Sequence, residues 1–114
     1  MHEMSYVLMA IEQLETIVLK NHLQKLYSVT LDIGESSGVE EDYFRVCWNA
    51  ATKDTDWKNV TLKIHMVPSI GRCLSCGKEF EIKKNNYTCP LCGKSNQYVP
   101  ISGKDLEIAE IEGS

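Results

Sequence analysis

Four of the chain's five cysteines fall into two C-x2-C pairs, Cys73 with Cys76 and Cys89 with Cys92, and twelve residues separate the pairs. Each pair is followed by a glycine, Gly77 and Gly93. Two residues between thiols let a tight knuckle aim both sulfurs at one centre, and a glycine after the second cysteine allows the positive φ that such a turn asks for. Two facing knuckles make a tetrahedral cage of four sulfurs, which is closed to substrate and therefore structural. Zinc is the metal this spacing suits; a single iron, as in rubredoxin-like electron transfer, is its competitor. The stretch from about Ile70 to Tyr98 is rich in Cys, Gly, Lys and Asn and poor in Ile, Leu and Val. It buries little apolar surface unaided, so the metal must supply much of its folding energy.

With 114 residues, the chain makes one body, or one body with a small appended module. No basic n-region with an apolar h-region opens it, and no apolar run approaches the roughly 20 residues a membrane helix needs, so a cytoplasmic location with reduced thiols is expected. The net charge is −4 and the densest basic run is only Lys83-Lys84, which speaks against a nucleic-acid binder. No G-x-S-x-G, H-E-x-x-H or phosphate loop occurs, and Cys47 with three scattered histidines makes no triad. An enzyme is not expected.

From Ser5 to about Asn21, the apolar residues Val7, Leu8, Ile11, Leu14 and Val18 recur at helical steps. Leu26 to Ile33 shifts to period two and reads as a half-buried strand, followed by a turn at Gly34 and Ser36-Ser37-Gly38. Phe44, Cys47, Trp48 and Ala51 set a second helix from Val39 to about Ala51, with Glu40, Glu41 and Asp42 in its positive first turn. Val60 to Val67 alternates as a strand that Pro68 ends, and Asp105 to Ile111 returns to aliphatic residues whose phase slips, as a bulge or a two-sided strand would require. The predicted class is α+β: a small antiparallel sheet with two helices, and a zinc-ribbon-like module inserted before the last strand. Residues 1–69 with 99–114 form the first domain and 70–98 the second.

The chain opens Met1-His2-Glu3-Met4-Ser5. Histidine at position two is too large for ordinary methionine removal, so Met1 is expected to keep its amine. That amine, the His2 backbone nitrogen and the nearer His2 ring nitrogen close fused chelate rings of the tetragonal kind favoured by Ni(II) and Cu(II). These residues, the turn Ile33-Gly34-Glu35 with Ser37-Gly38-Val39-Glu40, the two knuckles, and the ending Gly103-Lys104-Asp105-Leu106-Glu107-Ile108 through Ile111-Glu112 together resemble the HypA/HybF family of hydrogenase-maturation nickel metallochaperones. The resemblance runs from the first residue to the last.

It implies a nickel-binding α+β domain and an inserted zinc domain. It implies delivery of Ni(II) to the large subunit of the nickel–iron hydrogenase with a partner GTPase, and in some bacteria service to urease and its accessory proteins. By the same resemblance the nickel ligands are His2, the Met1 amine and the Glu3 amide, joined in some members by a carboxylate that falls here on Glu40. The zinc ligands are Cys73, Cys76, Cys89 and Cys92. Read from the helix alone, Glu40 is instead an acid stabilising a helix start. Nickel affinity is expected to fall as amine and imidazole protonate, and the chain to be a monomer or a homodimer.

The remaining candidates read as structural. Cys47 and Trp48 lie on an apolar stripe, His65 is on the polar side of its strand, His22 is near a helix end, and Trp57 sits amid charges as a candidate partner surface. The competing function is a zinc-ribbon adaptor for proteins or nucleic acid, without nickel delivery.

Overall fold

The computed structural model describes residues 3–114. Helix α1 spans Glu3–Lys20 and buries Val7, Ala10 and Leu14, one narrow line at helical spacing. Ile11 and Val18 flank that line partly buried, while Leu8, predicted on the same stripe, is 55% exposed. The helix stops where His22 turns left-handed, with φ of 53°. The Leu23 N–H then donates to Val18 O (3.0 Å) and the His22 N–H to Leu19 O (3.2 Å), the paired bonds that close a helix end.

Strand β1, Leu26–Gly34, turns Val29, Leu31 and Ile33 to the core. Helix α2, Glu41–Thr52, lays Phe44, Cys47 and Trp48 on the same core. It begins two residues later than the spacing predicts because Glu40 stays extended as its cap. Strand β2, Thr61–Val67, pairs parallel with β1, Leu31 facing Ile64. The sheet predicted to be antiparallel is therefore mixed: α2 carries the chain back along the sheet, so β2 starts from the same end as β1. The last strand, β6, Leu106–Gly113, supplies the antiparallel pairing and completes the order β2-β1-β6. Its register jumps between Thr30↔Glu110 and Leu31↔Ile108, which leaves Ala109 unpaired. This bulge returns both Ile108 and Ile111 to the core and explains the slipped phase.

Between β2 and β6 the chain builds a second sheet, in the order β4-β3-β5, from β3 (Ile70–Cys73), β4 (Glu79–Glu81) and β5 (Tyr98–Ser102). Its core is small: Cys73, Phe80, Ile82 and Cys89, with Tyr98 packed on them and edge-on to Phe80 at 5.9 Å. Val99 to Ser102, assigned from the sequence to the first domain, are hydrogen-bonded to β3 and so lie in this second sheet.

Candidate metal centres

The two knuckles are built alike. In the first, the Cys73 N–H donates to Lys78 O (2.8 Å) and the Gly77 N–H to Cys73 O (2.9 Å); in the second, Cys89 donates to Lys94 O (3.0 Å) and Gly93 to Cys89 O (2.9 Å). Both glycines take positive φ, 80° at Gly77 and 78° at Gly93, which a side chain would resist. The first knuckle leaves the end of β3, and a bridge between Thr88 and Ser95 braces the second. Facing each other, they bring all four sulfurs within 4.8 Å of one another. Cys73 Sγ is 3.6 Å from Cys92 Sγ, and Cys76 Sγ is 3.6 Å from Cys89 Sγ. A tetrahedron of about 2.3 Å zinc–sulfur bonds has edges of about 3.8 Å, close to these two separations, so the cage is of the size that zinc takes.

Electrostatics point the same way. The Cys76 amide, with the Ser75 amide behind it, brings the Cys73 thiol down to about 6. The Cys92 amide lowers Cys89 likewise. At Cys76 the Lys78 amide pulls downward, but partial desolvation and the neighbouring Cys89, Cys73 and Cys92 push the thiol up to about 11. Four sulfurs at this spacing do not all ionise on their own; a divalent cation is the group that replaces their protons. Cys73 and Cys89 are buried whereas Cys76 and Cys92 face solvent, so the cage sits at the module's surface. The fifth thiol, Cys47, lies apart in the first core.

Of the residues expected at the nickel end, Met1 and His2 lie outside those described. Glu3 and Glu40 are brought together: the Glu40 N–H donates to Glu3 Oε2 at 3.0 Å. The Glu40 carboxylate meanwhile caps α2, accepting from the amides of Asp42 (3.2 Å) and Tyr43 (2.8 Å). Each carboxylate oxygen keeps a second lone pair beyond its cap bond, so capping and metal binding are compatible. The Tyr6 hydroxyl reaches Ser37 O at 3.5 Å and ties the first turn of α1 to the same segment.

His65, expected on the polar side of its strand, stands 3.2 Å from Asp32 across the parallel pair. Trp57 is half-buried on the first core rather than free on the surface. Among the described residues, the four cysteines are the one group of His, Cys, Asp and Glu side chains close enough to hold a metal ion. None of the described helices is long and apolar enough to cross a membrane.

A family model described as hydrogenase/urease nickel incorporation, metallochaperone, hypA matches residues 1–113. The hydrogenase maturation factor HypA of Geobacter metallireducens is 38% identical over 112 residues, which cover 98% of each chain. That of Geotalea uraniireducens is 35% identical over 113 residues, again 98% of each. The hydrogenase maturation factor HybF of Klebsiella pneumoniae is 29% identical over 113 residues, 99% of each chain. A solution structure of the nickel metallochaperone HypA from Helicobacter pylori superposes with a TM-score of 0.74 at 23% identity, covering 99% of this chain and 97% of that one. At that identity it bears on the fold alone.

Proposed function

The chain belongs to the HypA family of hydrogenase-maturation nickel metallochaperones, and from that premise we propose that it binds Ni(II) at its amino end and hands it onward while a zinc cage holds its second sheet in shape. It is a maturation factor, not an enzyme. The family binds zinc structurally and carries nickel.

The nickel ligands in this reading are the Met1 amine, the His2 ring and backbone nitrogens and the Glu3 amide, with Glu40 as an added carboxylate. One observation carries it: the 3.0 Å bond from the Glu40 amide to the Glu3 side chain, which brings the Glu40 carboxylate to the start of α1. Nitrogen ligands at a chain end exchange metal more readily than a closed thiolate cage. They also respond to acid, since amine and imidazole protonate near about 8 and about 6.5 and must be neutral to bind.

Cys73, Cys76, Cys89 and Cys92 hold zinc in the same reading. The zinc ion, when bound, neutralises the thiolates and fixes both knuckles. Residues 1–69 with 103–114 act as the nickel body and 70–102 as the zinc module, a division that the pairing of β5 with β3 supports. The partners in the hydrogenase-maturation pathway are a GTPase and the hydrogenase large subunit, with urease accessory proteins as further recipients, and the setting is the cytoplasm.

Calorimetric titration of untagged, zinc-loaded protein with Ni(II) tests the reading. One equivalent should bind to the parent chain and none tightly to His2→Ala, whose zinc content and fold should be unchanged. Stoichiometric nickel on His2→Ala would refute the site.

A further inference from the structure

The turn Ile33-Gly34-Glu35 stands out in the sequence, yet neither metal site uses it. In the structure it lies where the two sheets are joined. The chain passes between them twice, outward through Pro68 and Ser69 and back through Gly103. A Cβ on Gly34 would lie 2.2 Å from the Gly103 carbonyl, and one on Gly103, whose φ is 78°, would come within 2.5 Å of Pro68 O. Only glycines allow this crossing. The turn grips both passages: the Glu35 N–H donates to Val67 O and the Ser36 N–H to Gly103 O, each at 2.8 Å.

The Glu35 side chain adds a clamp. Its Oε1 accepts from the Ser69 hydroxyl at 3.0 Å and, at longer range, from the Ser69 N–H at 3.4 Å. Ser69 is 0% exposed, and its own carbonyl accepts from the N–H of Ile82, a core residue of the zinc module, at 2.9 Å. Lys83 of that module reaches back with its Nζ to Glu35 O at 3.1 Å. Just beyond this clamp the same segment meets the amino end, through Tyr6 on Ser37 O and the Glu40 N–H on Glu3.

We infer that Glu35 is a positioning residue: it pins the zinc module against the segment 34–40 and so couples the module's orientation to the geometry around the amino terminus. The pin stands on these contacts alone; its effect on nickel rests on the function proposed above. Without the carboxylate, the module turns about Pro68-Ser69 and Gly103, and the segment bearing Glu40 loses its anchor. Coupling of this kind is reciprocal, so nickel at the amino end favours the pinned orientation to the same extent.

The test compares untagged, zinc-loaded parent protein with Glu35→Ala, Glu35→Gln and Ser69→Ala. Residual dipolar couplings report the alignment of the two sheets, and calorimetry reports nickel affinity. The parent should show one common alignment. Glu35→Ala should show two different ones and bind nickel about 5-fold or more weakly. Glu35→Gln, which keeps an acceptor oxygen for Ser69, should restore both, and Ser69→Ala, which removes only the hydroxyl, should shift both in the direction of Glu35→Ala even if that variant folds poorly. A single parental alignment in Glu35→Ala and Ser69→Ala overturns the pin, as does a Gln variant no better than Ala. Altered alignment with parental nickel affinity overturns the coupling. A parent chain that binds no nickel refutes the proposed function instead, and its dipolar couplings still decide the pin.

Discussion

Glu112 lies on the open face of the first sheet, where the Ser28 hydroxyl donates to its Oε1 at 2.9 Å and Lys63 Nζ stands 3.5 Å from the same oxygen. The hydroxyl first, and the lysine charge second, hold this carboxyl below its usual 4.5. A carboxyl whose folded value is depressed stabilises the fold above its unfolded value and loses that contribution as the pH falls through the folded one. Glu112→Gln should therefore lower stability modestly at neutral pH and flatten the acid limb of a denaturation series, so that variant and parent converge as the pH falls below about 4.5. Deeper in, Phe44 is fully buried on α2 against the sheet. Phe44→Ala should cost about 3–5 kcal/mol in urea unfolding, because the cavity closes poorly between a helix and a sheet. At this scale the four cysteines were legible because ligand chemistry is written in their spacing. Glu35 was not: an acid after a glycine reads as a turn residue, and its partners Ser69 and Lys83 lie 34 and 48 positions away.

Elements were legible where a period was long enough to repeat. Both helices and β1, β2 and β6 follow from apolar spacing of 3.6 or 2. Alternation fixes a strand's inward face but not the direction of its neighbour, so the parallel pairing of β1 with β2 was hidden. The short strands β3 and β4, with Phe80 and Ile82 nearly alone as aliphatic or aromatic core, left no period to find. A module with that little buried surface depends on its metal. Stripping zinc with a chelator should collapse the amide dispersion of residues 70–102 while α1, β1 and α2 keep theirs, as heteronuclear NMR would record. At the start of α2 the two roles of Glu40 separate by substitution. Glu40→Ala should lower stability by about 1 kcal/mol through the lost cap. Glu40→Ser should recover the cap without the carboxylate, restoring the melting temperature but not the nickel affinity.

The whole molecule is drawn out, measuring 53 × 26 × 18 Å with a radius of gyration of 17.2 Å. A single compact chain of this length would have about 13 Å. The elongation reflects two cores of unequal size, one apolar and self-sufficient, one small and built on thiols. The inserted position of the second was legible in the drop in aliphatic content after Pro68. The pairing of β5 with β3 was not, because the apolar Val99-Pro100-Ile101 reads equally well as part of either sheet. In the function proposed above, one metal is held for shape and another for transfer. Dialysis of untagged protein loaded with both metals, stepped from about pH 8 to about pH 6 with metal analysis at each step, tests that division. Nickel should leave across that range while one zinc per chain stays. Nickel retained at the acid end, or zinc and nickel leaving together, would contradict it.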